Sequence, residues 1–251
     1  MFLVVRGAMK KILVLSCALT LGLAPAAARA NDIFSVTYLG AGVQTPSTTS
    51  NYEQYSSTFT NTTNFNGSSI TGTYTGDFVI NPADEYGGAG GTGYFIDTTT
   101  PNGNPGSYTL TLSQNVNYFG LWFSALDAGN QLSFYDGTTL VYSFSASDYT
   151  NLVGACPDAS NQYCGNPNSA FLNQDNGQLY AYLNFLDTTG TFNTIVFTED
   201  PAVGQFESDN QAVAQDVSTI PGTPLTPEPS SLMLLGTGAL GLAGVLRRKL
   251  R

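Results

Sequence analysis

Histidine is absent from this 251-residue chain, and lysine and arginine are confined to its two ends. The eight basic residues lie before residue 31 or after residue 246, whereas all 18 Asp and Glu lie between Asp32 and Glu228. Residues 31–246 therefore carry a formal charge of −18, which the net charge of −10 conceals. Because this segment has no basic side chain that neutralises phosphate, binding to nucleic acid or to anionic lipid is disfavoured.

The same absences limit the chemistry of a catalytic site. Without histidine the chain builds neither a Ser-His-Asp triad nor a Cys-His pair, and it lacks the lysine of a phosphate-binding loop. Carboxylate chemistry remains, as in glycosidases, which place two acids on either side of a scissile bond. The candidate pairs are Asp84 with Glu85, Glu199 with Asp200, and Glu207 with Asp209. Since 18 acids make such pairs easy to find by chance, we expect a protein that is not an enzyme.

The first thirty residues have the features of a secretory signal peptide. Met9-Lys10-Lys11 supplies a positive start, residues 12–23 are apolar, and Ala28-Arg29-Ala30 has the small-x-small form of a cleavage site. We expect a signal helix and cleavage by signal peptidase after Ala30. Met9 is an alternative start, because residues 1–8 add nothing that the signal needs.

Cysteine is scarce as well. If Cys17 leaves with the signal peptide, Cys156 and Cys164 are the two that remain in the exported chain. An even pair in an exported protein predicts a local disulfide. A zinc site is the less favoured reading, because it needs more ligands than two thiols and the chain has no histidine.

Residues 31–217 read as a single all-β domain. Short β-rich runs are bounded by Gly, Asn, Asp and Pro, the pattern of an antiparallel β-sandwich, most similar to a jelly roll. We expect one strand over Ile70–Ile80, a central strand covered on both faces over Val116–Leu126, and a hairpin turn at Asp136-Gly137. Residues 218–229 contain four prolines and are predicted to be an extended, exposed linker.

Calcium is the metal that this composition favours, because hard cations take carboxylate, amide and backbone oxygens. Asp127 and Asn130 lie between two predicted strands, and Asp209 and Asn210 lie in the last one. We consider these four residues as calcium ligands. The alternative, that they serve as turn residues through side-chain-to-backbone hydrogen bonds, stays open.

The end of the chain combines three features in order. Pro227-Glu228-Pro229 closes the linker, residues 230–246 contain no charged residue, and Arg247, Arg248 and Lys249 follow. Seventeen residues are at the low end for a membrane-spanning helix, and four glycines weaken the helix by roughly 1 kcal/mol each. We expect a short transmembrane helix over 230–246 with its basic end in the cytoplasm.

This order of features resembles the PEP-CTERM sorting signal of bacterial surface proteins. The resemblance implies recognition by exosortase, a membrane enzyme of bacteria that make extracellular polysaccharide, an inner-membrane intermediate, and delivery to the surface of a Gram-negative-type cell. The stretches 118–124 and 132–137 are also similar to the core of PEP-CTERM ectodomains, which are similar to lectin-like jelly rolls.

The sequence thus predicts an exported, all-β surface protein with a structural or adhesive role in an extracellular matrix or biofilm. A carbohydrate-binding module, lectin-like and calcium-dependent, is the alternative from another class, and a carboxylate-based glycoside hydrolase is a weaker one.

Overall fold

A computed structural model describes residues 32–46, 55–65, 67–99, 106–201 and 204–225. The predicted signal helix, the PEP motif and the predicted transmembrane helix lie outside these residues. The described part is an all-β structure with one short α-helix, Ala146–Val153. Its strands are β1 Phe34–Tyr38, β2 Thr62–Asn64, β3 Thr71–Gly76, β4 Phe78–Pro82, β5 Tyr94–Thr98, β6 Gly106–Val116, β7 Tyr118–Leu126, β8 Asn130–Asp136, β9 Thr139–Ser145, β10 Leu179–Asp187, β11 Phe192–Glu199, β12 Glu207–Ala214 and β13 Thr223–Pro224.

The strands form two antiparallel sheets. The first, called sheet A, has seven strands in the order β13-β1-β10-β7-β12-β5-β4. The second, called sheet B, has six strands in the order β2-β3-β6-β11-β8-β9. Consecutive strands often lie in different sheets, so the chain passes repeatedly from one layer to the other. The predicted all-β class with antiparallel sheets is confirmed.

The hydrophobic core lies between the two sheets. Buried side chains from both layers form one cluster, which includes Phe119, Phe123 and Phe185 from sheet A and Phe134 and Phe197 from sheet B. Their rings pack at tilted and edge-to-face angles, as Phe119 does against Phe134 at 6.0 Å between ring centroids. Aromatic burial on this scale is the main stabilising contribution of a sandwich without internal ion pairs.

The prediction of one strand over Ile70–Ile80 is wrong. The chain instead leaves sheet B after β3, which ends at Gly76, and enters sheet A with β4, which begins at Phe78. Gly76 has a φ of +104°, and an added Cβ would lie 2.6 Å from the carbonyl oxygen of Ser107. Only glycine fits this crossing, because the conformation is left-handed and backbone lies close by. The periodicity of the sequence does not reveal which sheet each half joins.

Strand β7 occupies the middle of sheet A, between β10 and β12. All nine of its residues are buried, so the prediction of a strand covered on both faces is confirmed. Its first predicted residue, Val116, belongs instead to β6 of sheet B, and Asn117 separates the two strands. A tight turn joins β8 and β9 as predicted, but its two residues are Gly137 and Thr138, because Asp136 is the last residue of β8 and pairs with Thr139.

The segment predicted to be an extended, exposed linker begins as part of the sandwich. β13 pairs with β1, Thr37 donates a hydrogen bond to the carbonyl oxygen of Pro221 at 2.5 Å, and the amide of Leu225 donates to the carbonyl of Val36 at 2.7 Å. Thr223 and Pro224 are exposed while they pair with β1. The edge of β1 offers unpaired backbone groups, which this segment satisfies.

Candidate functional site

Three oxygen-bearing side chains lie in one row across the centre of sheet A. In the strand register Ser124 of β7 is opposite Glu207 of β12, and Glu207 is opposite Asp97 of β5. Directly opposed residues of antiparallel strands project from the same face, with Cβ atoms about 4.5–5.5 Å apart. We call Ser124, Glu207 and Asp97 the oxygen row.

The oxygen row faces away from the core between the sheets. Phe123 and Phe206, which precede Ser124 and Glu207, belong to the central cluster, as does Ile96 before Asp97. Because successive strand residues point to opposite faces, the row lies on the outer face of sheet A. Trp122 is on the same face, where it packs with Tyr180 and Tyr182 in a second, smaller cluster.

A loop covers this outer face. Residues 83–93, called the cover loop, are tied down by the amide of Ala89, which donates to Asp209 Oδ2 at 2.7 Å. The carbonyl oxygen of Glu85 accepts hydrogen bonds from Tyr180 at 2.7 Å and from Asn166 at 2.9 Å. The oxygen row on the same face is nearly inaccessible: the exposed fractions are 0% for Ser124, 2% for Asp97 and 6% for Glu207.

The oxygen row contains unsatisfied acceptors. Among the described residues, Ser124 Oγ, Glu207 Oε2 and Asp97 Oδ1 have no hydrogen-bond partner. The second oxygen of Asp97 accepts one hydrogen bond, from Asn81 Nδ2 at 3.2 Å. A buried polar atom without a partner costs about 1–3 kcal/mol, and more for a charged group. Three such atoms on adjacent strands form a site that needs a proton donor or a cation.

The electrostatics of the row follow from burial among other acids. Burial first, and then the negative charges of Asp84 and Glu199, raise the pKa of Asp97 from 3.8 to about 8. Burial, followed by the charges of Asp97 and Asp127, raises the pKa of Glu207 well above its ordinary value. The segment has no lysine, arginine or histidine to offset these charges. Both carboxyls therefore favour the neutral form near pH 7 when no cation is bound.

The first predicted calcium pair uses its polar atoms within the protein. Asn130 Oδ1 accepts the amide of Asp127 at 2.6 Å, and Asn130 Nδ2 donates to the Glu199 carboxylate and to the carbonyl oxygen of Gln205. Asp127 Oδ1 accepts a hydrogen bond from Gln178 at 2.6 Å. Burial raises the pKa of Asp127, while this hydrogen bond opposes the rise. Asn130 thus fixes the turn between β7 and β8.

The second predicted pair lies in β12, where the strand bulges. Asp209 accepts the amides of Ala89 and Asn210, each at 2.7 Å, and Asn210 Nδ2 donates to the carbonyl oxygen of Gln44 at 2.7 Å. Burial raises the pKa of Asp209 to about 7, and the two amides oppose the rise. Asp209 and Asn210 share none of these hydrogen-bond partners with Asp127 and Asn130. Within the described ranges, no three acidic or thiol side chains surround a common metal position.

The predicted acid pairs are similarly occupied. Asp84 Oδ1 accepts the amides of Tyr86 at 2.9 Å and Gly87 at 3.2 Å, which is a turn. Glu199 is fully buried and bonded to Asn130, and Glu207 and Asp209 are also buried. A polysaccharide needs open access to both acids, which these three groups do not give, whereas Asp84 and Glu85 are half-buried.

The two cysteines hold the loop that follows the helix. Cys156 and Cys164 form a disulfide with 5.6 Å between their Cα atoms. The isolated bridge between Cys164 and Leu179 connects this loop to the start of β10. The disulfide therefore stabilises the surface beside sheet A and takes no part in the oxygen row.

Sequence reasoning named Glu207 only as half of an acid pair and missed Ser124 and Asp97. One signal for Asp97 is local: it is a charged residue that follows Tyr94-Phe95-Ile96 within a short apolar run. Ser124 carries no such signal. Only the pairing of β7, β12 and β5 brings the three together.

The described domain is thus an acidic antiparallel sandwich, a class of fold common among extracellular proteins. Residues 225–249 match the family model of the PEP-CTERM protein-sorting motif, so the resemblance of Pro227-Glu228-Pro229 and the basic end is confirmed. A signal of this kind marks an exosortase-targeted protein that is exported through the membrane to the cell surface. No curated protein and no solved structure matches the chain.

Among the residues that the structure describes, no helix has the length and hydropathy required to span a membrane. The predicted span over 230–246 is not among those residues.

Proposed function

We propose that this protein is a structural or adhesive component of an extracellular matrix or biofilm, processed by signal peptidase at its start and by exosortase at its end. The cell is of the Gram-negative type, with an inner-membrane intermediate that precedes surface delivery. The observation that carries the proposal is the attachment of the PEP-CTERM motif, at residues 225–249, directly to the last strand of a closed sandwich.

The proposal also holds that the protein is not an enzyme. The acids with the strongest pKa shifts, Asp97, Glu207 and Asp209, are all at least nine-tenths buried, so an extended substrate does not reach them. A rigid sandwich with aromatic packing on both faces of its central strand suits a component that bears load or fills a matrix. Its partner there is extracellular polysaccharide or another surface protein.

The sorting part is tested by replacing Pro227-Glu228-Pro229 with three alanines in a bacterium that has an exosortase. We expect the variant to remain in the membrane at a higher mass than the processed wild type. A double variant, Pro221→Ala with Pro224→Ala, is the matched control, because it removes two prolines upstream of the matched residues. Unchanged delivery and unchanged mass of the alanine variant would contradict recognition of the motif.

The matrix role is tested by deleting the gene and measuring biofilm mass and cohesion. Loss of cohesion that the wild-type gene restores, and that the unsorted alanine variant does not, supports the proposal. A strain with normal cohesion and a polysaccharide-cleaving activity that disappears with the protein would overturn it in favour of an enzyme.

One observation favours the second candidate, a carbohydrate-binding module. The ring of Tyr86 on the cover loop is 44% exposed, and the neighbouring charges of Glu85, Asp175 and Asp84 raise its pKa. An exposed aromatic face beside carboxylates is a combination that stacks on a sugar ring and accepts hydrogen bonds from its hydroxyls. Binding of the full-length protein to a glycan array, lost in Tyr86→Ala and kept in Leu172→Ala, would favour this candidate. Leu172 is the control because it is 58% exposed and apolar.

A further inference from the structure

The oxygen row holds buried oxygens without partners. An ionised carboxylate accepts hydrogen bonds and donates none, and among the described residues Asp97 Oδ1 and Glu207 Oε2 have no hydrogen-bond partner. Residues 31–246 contain no lysine, arginine or histidine, so no basic side chain of this segment supplies a positive charge. The pair is therefore either protonated or bound to a cation from outside this segment.

We propose that the oxygen row binds a calcium ion, held between the carboxylates of Asp97 and Glu207. Two carboxylates balance the charge of one divalent cation. Strand register places Glu207 directly opposite Asp97 on one face, at a spacing that lets the two carboxylates share one ion, and it places Ser124 on the other side of Glu207.

Calcium fits the row better than other common metals. Calcium takes six to eight oxygen ligands at about 2.3–2.6 Å, from carboxylates, neutral oxygens and water. Bidentate binding by both carboxylates supplies up to four of these. Magnesium demands an octahedral arrangement and keeps several waters, which a row this deeply buried does not accommodate. Zinc favours nitrogen and sulfur ligands, which the row lacks.

This site differs from the four ligands predicted from sequence. Asp209 and Asn130 already have their side-chain oxygens in hydrogen bonds at 2.6–2.7 Å, whereas the row retains one unsatisfied atom on each member. The alternative for the row is a pair of protonated carboxyls with no metal. Burial and the negative charges of Asp84, Asp127 and Glu199 raise the pKa values of Asp97 and Glu207 and so favour this neutral state when no cation is bound, whereas a bound calcium ion favours the ionised pair.

The two alternatives differ in their response to calcium. Full-length protein in a mild non-ionic detergent is treated with EGTA, dialysed and titrated with CaCl2, with MgCl2 as a size control. At a calcium concentration a hundredfold above Kd, we expect the melting temperature to rise by roughly 5–11 °C. Calorimetry near pH 7 in buffers of different ionisation enthalpy should show proton release, because calcium displaces protons from the carboxyls.

Variants locate the site. Asp97→Asn and Glu207→Gln should each lower calcium affinity at least about tenfold. Asp77→Asn is the matched control, since Asp77 is an exposed carboxyl just before β4, and the calcium affinity of this variant should equal that of the wild type. If a variant fails to fold, the calcium titration of the wild-type protein still tests the proposal.

Three results would overturn the proposal. The first is a wild-type protein whose melting temperature does not respond to calcium. The second is a calcium response that both row variants retain. The third is a response that Asp209→Asn removes while Asp97→Asn keeps it, which would return the site to the residues predicted from sequence.

Discussion

Replacing Asp97 with asparagine should make the calcium-free protein more stable at alkaline pH, although most substitutions of buried residues destabilise. The pKa of Asp97 is about 8 in the folded protein and 3.8 ordinarily, chiefly because of burial. The folded state therefore binds more protons than the unfolded state between these values. Stability from this group is fully present below pH 4 and is lost as pH rises to about 8.

The magnitude follows from the same two pKa values. At 1.36 kcal/mol for each pH unit, a rise from 3.8 to about 8 corresponds to a loss of roughly 5–6 kcal/mol. Glu207 titrates together with Asp97, and local relaxation reduces the cost of the charged state. We therefore expect the free energy of unfolding of Asp97→Asn to exceed that of the wild type by at least about 2 kcal/mol at pH 9, and to be close to it at pH 4.

Urea unfolding in the presence of EGTA, measured at pH 4, 5, 7 and 9, checks this prediction. Asparagine keeps the shape of the side chain and an oxygen for the hydrogen bond from Asn81. The exposed Asp77→Asn variant should follow the wild type at every pH. If the stability difference between Asp97→Asn and the wild type does not change with pH, or if the variant is less stable at pH 9, the reasoning about the row is wrong.

Two further predictions concern the architecture. Replacing Cys156 and Cys164 with serine should lower the free energy of unfolding by about 2–3 kcal/mol, because the disulfide closes a short loop with a sequence separation of 8. Chemical denaturation measures this difference, and the reduced wild-type protein should have the same stability as the variant. Gly76→Ala should lower the free energy of unfolding by about 1–3 kcal/mol because of its positive φ, and by more because the new Cβ would contact Ser107. Gly40→Ala is the control, because an added Cβ there has nothing within 4 Å, and its melting temperature should stay near that of the wild type. Equal melting temperatures for the two variants would refute the crossing at Gly76.

Local patterns predicted much of the fold. The hairpin between β8 and β9 was identifiable because a two-residue turn has strict backbone requirements, and Gly137 in it has a φ of +58°. Strand β7 was identifiable because its apolar residues run without a break, as in a strand covered on both faces. The division of Ile70–Ile80 between the sheets was not identifiable, because a strand keeps its alternation whichever sheet it joins. The contact of Gly76 with Ser107 that fixes the crossing is 31 residues away in sequence.

The candidate site was harder to predict than the fold. Asp127, Asn130, Asp209 and Asn210 have the residue types of calcium ligands, but the same types satisfy backbone groups in turns and bulges. Their hydrogen bonds follow the second use. The unsatisfied atoms of the oxygen row belong to residues that local patterns do not mark, because sequence lists which groups are present and not which remain without partners.

The sequence by itself determined the destination of the protein and the sign of its charge. A sorting motif is recognised as a short linear segment, and the absence of basic residues over 31–246 is a matter of composition. Only the tertiary structure decided which of the acidic side chains are buried together. The register of β7, β12 and β5 places Ser124, Glu207 and Asp97 side by side, where they are almost fully buried. That burial raises the pKa values of two of the 18 carboxyls, so that they favour a proton or a bound cation over the free charged form.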